Sequence, residues 1–238
     1  MTACGFGSPE WRHRAGVAVS IALAVAGCGG TETGNPSAGP SSEWRFVVTD
    51  TPVSGDEPVR VPDVYLGLGS VVALACDSGS AVVAGPAAVS LAPSPSAPVT
   101  VAEVSCCGIV VELEAQSIGP ADAEEQASVL VRGNMGDGTP FVLSNDAPQT
   151  LTLSPVTPPL VIDAESRWLL SVDVGVWFAG LDFSGAQPGA EGIRIDSESN
   201  PDLLAFAEQR LGSAIALRRD LDGDGQVDPE DVPVASPP

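Results

Sequence analysis

From Trp44 to Val174 the apolar residues come in short runs, each cut off by Pro, Gly, Asp or Ser. The runs read WRFVVT, VYLGLGSVVALAC, AVSLA, VTVAEV, GIVVELE, SVLVRG, PFVLS, TLTLS, PLVIDA and WLLSVDV. A chain interrupted this often cannot sustain a 3.6-residue apolar period, so strands joined by turns are the expectation. The 22 Pro and 26 Gly supply the turns, and 44% hydrophobic content supplies a core. Aromatics are only 5%, so Val, Leu, Ala and Ile must fill most of it. We read residues 44–198 as an antiparallel β-sandwich. SVLVRGNMGDGTPFVLS is its clearest hairpin, with Asp137-Gly138 available for positive φ at the tip.

The strand texture ends after GIRID, residues 192–196. Asn200-Pro201-Asp202 then predicts a helix start: Asn200 as N-cap, Pro201 at the first helical position, an acid in the first turn. Leu203, Phe206, Ala207 and Leu211 form one apolar stripe, and Gly212-Ser213 is expected to break or bend the helix. Residues 199–238 thus read as a helix, an Asp-rich loop and a tail appended to the sandwich.

That loop is DLDGDGQVDPED, residues 220–231. Asp220, Asp222 and Asp224 take positions 1, 3 and 5 of an EF-hand-like calcium loop, and Gly225 takes position 6, where the chain must turn sharply. Gln226 offers its carbonyl at 7, Val227 an inward apolar side chain at 8, Asp228 stands at 9 and Asp231 at 12. Calcium is a hard cation that takes six to eight oxygens from a flexible loop, and this spacing converges them. A solvated acidic tail is the plainer alternative, and the spacing, Gly225 and Val227 together favour the metal. Asp231 replaces the usual bidentate Glu, and PEDVPVASPP is too short and Pro-rich for a full exit helix. One lone half-hand does not make a sensor, which needs a helix pair that opens. The loop is similar to those of dockerins and thrombospondin type 3 repeats, although dockerins carry two.

The N-terminus gives an address. Arg12 and Arg14 precede AGVAVSIALAVAG, residues 15–27, an apolar run too short to cross a bilayer and of signal-peptide length. It ends at VAGC, which resembles a bacterial lipobox. Residues 1–27 are then a signal peptide, Cys28 carries acyl chains, and Gly, Ser, Pro and Thr make residues 28–43 a flexible tether. The other reading is an ordinary signal peptide followed by a chance cysteine. Gly29 is not the familiar Asp-type inner-membrane retention signal, so the outer membrane is the expected location.

Cleavage also removes His13, the one histidine. The mature chain has no His, no Lys, and eight Arg against 30 acids. Such a charge repels phosphate backbones, so nucleic acid is not an expected partner. Nucleophilic triads and histidine-based zinc sites lack their bases and ligands, and a Gly-rich phosphate loop does not follow any of the strands. Carboxylate pairs could still hydrolyse glycosides, but among 30 acids a pair is weak evidence. No enzyme is expected, and no catalytic residue is assigned.

An exported domain meets an oxidising compartment, so the remaining Cys76, Cys106 and Cys107 should yield one disulfide. In CCGIVVELE, Cys107 falls with Ile109, Val111 and Leu113 on one strand face, and Cys106 with Val110, Glu112 and Glu114 on the other. A core disulfide therefore prefers Cys76–Cys107, worth roughly 3 kcal/mol through chain entropy. It leaves Cys106 as an odd thiol, with a vicinal Cys106–Cys107 bond as the alternative. In SVDVGVWFAGLDF, Trp177 and Phe178 offer either a ligand platform for sugar or aromatics that seal the sandwich, and large aromatics in an aromatic-poor chain usually seal.

As a set, these motifs make the chain similar to a group of uncharacterised bacterial lipoproteins. The shared features are CGGTETGNP at 28–36, Cys76 with Cys107-Gly108, DGTPF at 137–141, W-F-x-G-x-D at 177–182 and the terminal Asp-rich loop. In that group an aromatic commonly stands where Cys106 does. The resemblance implies a lipid-anchored β domain and assigns no activity. The reading as a whole is a non-catalytic, calcium-binding envelope module with an envelope protein or a glycan as partner. Its alternatives are an accessory subunit of an envelope complex and a carbohydrate-active protein.

Overall fold

The computed structural model describes residues 41–49, 59–77, 79–91 and 96–238. The signal segment, Cys28 and the tether through residue 40 lie outside the described residues. In chain order the strands begin with β1 (Ser41–Thr49), the long β2 (Arg60–Leu74), β3 (Ser80–Ala84) and β4 (Ala87–Ser90). Next come β5 (Val99–Ala102), β6 (Val104–Cys106), β7 (Gly108–Leu113), β8 (Gln116–Ile118) and β9 (Glu125–Ala127). The hairpin β10 (Val129–Asn134) and β11 (Pro140–Asn145) is followed by β12 (Gln149–Pro155), β13 (Leu160–Ile162) and β14 (Arg167–Asp173). Helix α1 (Val174–Phe178), β15 (Pro188–Gly189), β16 (Gly192–Ile195), helix α2 (Pro201–Ala214), β17 (Ile215–Asp220) and β18 (Pro233–Ser236) complete the chain.

The fold is mainly β, as expected. Its principal sheet runs β15-β16-β11-β10-β2-β7-β12-β18-β17-β14-β1-β5, with β3 and β4 also on β2. β12 is where this path folds over. Gln149–Leu153 pair with β7, and Ser154 and Pro155 then pair with β18. The two halves close on one core that joins Trp44 and Phe46 of β1 to Leu66 and Leu68 of β2, Val111 of β7 and Leu153 of β12. That is a sandwich-like arrangement. The period-2 pattern shows why: in β12, Leu151 and Leu153 are buried while Thr152 and Ser154 are exposed. Two pairings, β1 with β14 and β11 with β16, are parallel, so the sheet is mixed rather than wholly antiparallel.

Three boundaries differ from the sequence reading. The sandwich does not end at residue 198, because β17 lies between β14 and β18 and so supplies the sheet with interior strand pairing. Residues 199–238 are therefore part of the domain. It also starts earlier, with Ser41 and Ser42 already in β1. Helix α2 runs through Gly212 to Ala214, and its buried face is Leu204, Ala207, Leu211 and Ala214, turned from the expected stripe so that Leu203 and Phe206 are only half-buried.

Asn200 precedes α2 but does not cap it through its side chain. Its backbone is left-handed, with φ 58°, and its amide is engaged elsewhere. Oδ1 accepts from the Gln187 N–H at 2.9 Å and Nδ2 donates to the Arg194 carbonyl at 2.6 Å, tying the helix start to the β15–β16 ribbon.

The Cys76–Cys107 disulfide joins the turn after β2 to the start of β7. Cys106 corrects the expectation of an outward face: it is fully buried. Alternation does not run across Cys107. β6 pairs with β13 while β7 pairs with β2 and β12, so the chain changes partners there and Cys106 and Gly108 both point inward. Burial pushes the Cys106 thiol up, against a lowering bond from Gly108, which keeps it an inert core residue.

Candidate metal centre

β17 delivers the Asp-rich loop. Its alternation buries Ile215 and Leu217, and its last residue, Asp220, pairs with Arg167 at the start of β14. The chain then turns twice with positive φ, at Gly223 (78°) and Gly225 (79°). L-residues with a Cβ rarely adopt that conformation, which accounts for glycine at both places. Space accounts for it too: a Cβ on Gly225 would stand 3.1 Å from the Arg45 side chain, and one on Gly223 would strike the Arg167 guanidinium. Arg167 Nη1 donates to the Gly223 carbonyl at 2.9 Å, so the loop folds back over β14 and β1.

Carboxylate oxygens of Asp220, Asp222 and Asp224 lie within 4.8 Å of one another, a group that could hold a metal ion. The loop prepares this convergence with its own N–H groups. Asp220 Oδ1 accepts from Gly223 at 2.6 Å and Oδ2 from Gly225 at 3.1 Å. Asp222 Oδ1 accepts from the Asp224 N–H at 3.1 Å, and Asp224 Oδ1 from the Gln226 N–H at 2.7 Å. Each bond leaves lone pairs on the carboxylate free for a ligand.

Electrostatics favour added positive charge. Burial pushes the Asp220 carboxyl up, the Gly223 and Gly225 N–H groups oppose this, and Asp231 and Asp222 add to the rise. Asp228 is also pushed up, by desolvation first and then by Asp224, Asp222, Asp231 and Glu230. Carboxylates that resist ionisation because of desolvation, and then because of like-charged neighbours, are relieved by a proton or a cation. Oxygen-only donors of this hardness suit a hard divalent ion rather than a soft one.

The remaining expected ligands are not in the converging group. Asp231, at position 12, is buried and lies outside the converging three; like those of Asp220, both of its oxygens accept from the backbone, Oδ1 from Leu221 at 3.1 Å and Oδ2 from Asp228 at 3.0 Å. Its carbonyl accepts from Arg218 Nη1 at 2.6 Å. The arm of Asp is short, and with Glu absent the residue closes the loop as a brace. Asp228 stands outside the converging three as well. Gln226 contributes Nε2 to Asp224 Oδ2 at 3.0 Å, and Val227 is half-buried. Sequence reasoning passed over Arg45, Arg167 and Gly223. The repeated DGDG signals the second glycine, but pairing across strands hides the arginines.

Trp177 and Phe178 correct the platform reading, with exposures of 1% and 2%. Asp173 Oδ1 accepts from the Val176 N–H and starts α1, which tucks both rings inward. Trp177 Nε1 donates to the Ala207 carbonyl of α2 at 2.9 Å, and Phe178 packs on Phe141 with centroids 5.7 Å apart. The space beneath α2, bordered by Trp177, Leu204 and Asn145, is too small to hold a water molecule.

No protein-family model matches the chain, and no curated protein does. Among solved structures, MbnP from Methylosinus trichosporium superposes with a TM-score of 0.49 at 9% identity, covering 76% of this chain and 98% of that one. A likeness at that level transfers no residue roles to this chain.

Proposed function

We propose that the chain is a non-catalytic calcium-binding module of the bacterial cell envelope, anchored by lipid on Cys28, on the outer membrane. The observation that carries the reading is the convergence of Asp220, Asp222 and Asp224 around a loop that turns at Gly225. Calcium is favoured over magnesium because the donors sit on a loop of short turns, where an irregular oxygen shell is easier to assemble than a strict octahedron. At the roughly 0.1–1 mM dissociation constants of extracellular modules, the ion serves structure rather than signalling. Acylation at Cys28 and the signal segment rest on VAGC and the apolar run. Absence of catalysis rests on the lack of His and Lys in the mature chain. The partner is an envelope protein or a glycan. Burial of Trp177 and Phe178 removes the aromatic argument for sugar and favours the protein.

The test combines fractionation with capture. Cys28→Ala should release the protein from membranes and abolish acyl labelling. The calcium-loaded protein should capture a specific component from envelope extract or a glycan array. Retention of Cys28→Ala on membranes overturns the anchor, and recovery of nothing specific from either source overturns the binding role.

A further inference from the structure

The register of the sheet places the metal loop beside the point where the chain enters the domain. β1 begins at Ser41; Glu43 pairs with Arg167, and Arg167 pairs with Asp220. Two steps between neighbouring strands, about 10 Å, separate the start of the domain from the start of the loop. Cys28 and Ser41 are joined by a segment that spans at most about 45 Å when fully extended. An acyl anchor on Cys28 therefore connects to the domain at the end that carries the loop.

That end is also where apolar side chains stand in water. Leu221 and Val232 are 61% and 63% exposed, and Val156 is 66% exposed. They belong together: the Leu221 N–H donates to the Asp231 carboxylate next to Val232, and the Val156 N–H donates to the Val234 carbonyl at 2.8 Å. They account for three of the six large apolar side chains most exposed among the described residues. Four of the eight mature arginines, Arg45, Arg167, Arg218 and Arg219, lie on the strands under the same loop. Arg167 and Arg218 hold the loop by donating to the Gly223 and Asp231 carbonyls, so the feature of this edge that matches a membrane interface is its apolar side chains, which suit the acyl boundary.

We propose that this end of the domain docks on the bilayer that carries its anchor, with Leu221, Val232 and Val156 seated in the headgroup layer. The inference rests on the anchoring read from Cys28 and adds an orientation to it. The loop carboxylates would repel anionic headgroups, so a cation held by Asp220, Asp222 and Asp224 places the metal between protein and lipid phosphate.

The acylated full-length protein, reconstituted with calcium into vesicles of phosphatidylethanolamine and phosphatidylglycerol, tests this. Nitroxide labels are placed through Leu221→Cys, Val232→Cys and, as a distant control on the β10–β11 hairpin, Asp137→Cys. Buried Cys106 stays unlabelled. The account expects labels at 221 and 232 to be shielded several-fold from a water-soluble relaxant relative to the label at 137. A second variant, Leu221→Asp with Val232→Asp, changes exposed side chains only and should raise solvent access at a label on Val156→Cys. If the protein floats with the vesicles but 221, 232 and 137 are equally accessible, the docking is overturned and the anchor stands. If it does not float, the anchor reading fails and the docking fails with it.

Discussion

Replacing Asp231 with Asn separates a brace from a metal ligand. Asp231 is 2% exposed, and its two oxygens accept from the N–H groups of Leu221 and Asp228 at 3.1 and 3.0 Å. Asn keeps one acceptor and turns an NH2 toward the other N–H. One charge-assisted bond is lost and one buried donor is left without a partner, while some repulsion with Asp220 is relieved. Hydrogen bonds to charged groups contribute about 1.5–3 kcal/mol and an unsatisfied buried donor costs about 1–3, so the net loss should be about 1–3 kcal/mol. For a domain of this size that lowers Tm by about 3–10 °C. The assay is thermal and denaturant unfolding in chelator, without added metal. If Asp231 is a brace, the loss appears in chelator and calcium still stabilises the variant. If chelated stability is unchanged and only the calcium increment disappears, Asp231 is a ligand and the geometric argument is refuted.

Removing the disulfide with Cys76→Ser and Cys107→Ser together should cost about 3–4 kcal/mol, from the entropy of a loop spanning 31 residues; an unchanged denaturation midpoint would contradict this. Acid unfolding should show two opposing contributions. Asp137, Asp163 and Asp182 lie below the usual value of 3.8 through bonds from Thr139, Ser166 and Ser184, and Asp196 does so because bonds from Ser199, Arg194 and Glu198 outweigh its burial. Their folded values are depressed, so the stability they contribute is present above about pH 4 and is lost as pH falls through their folded values. Asp220 and Asp228 are shifted up, so their contribution is fully present below about pH 4 and disappears as pH rises through their folded values. Chelated protein should therefore lose less stability on first acidification than calcium-loaded protein; parallel curves would contradict the assignment.

The features that could be read from the chain were those set by local chemistry. Turn residues and two-residue periodicity gave the β class, Asp137-Gly138 gave the tip where Gly138 has φ 90°, and Asp220 to Gly225 gave the loop start. What escaped depends on which strands become neighbours. Alternation extended through Cys107 puts Cys106 outward, whereas β6 and β7 belong to different ladders. β17 reads as a connector, AIALRR, until β14 and β18 flank it. The stripe on α2 was off by a fraction of a turn, because Leu203 and Leu204 are equally apolar and only the packing partner chooses between them. Asp228 and Asp231 matched a spacing, but spacing does not say whether a carboxylate faces an ion or its own backbone.

The central claim is that the loop carboxylates hold a divalent cation. Calorimetric titration of the chelated protein with CaCl₂, beside Asp222→Asn, tests it directly. The account predicts one site per chain with a dissociation constant of about 0.1–1 mM, weakened by the substitution. At about 1 mM calcium and the tight end of that range, the ion adds about 1.4 kcal/mol, or about 3–6 °C in Tm. Neither heat nor a rise in Tm at several millimolar calcium, or equal responses from both proteins, would contradict it.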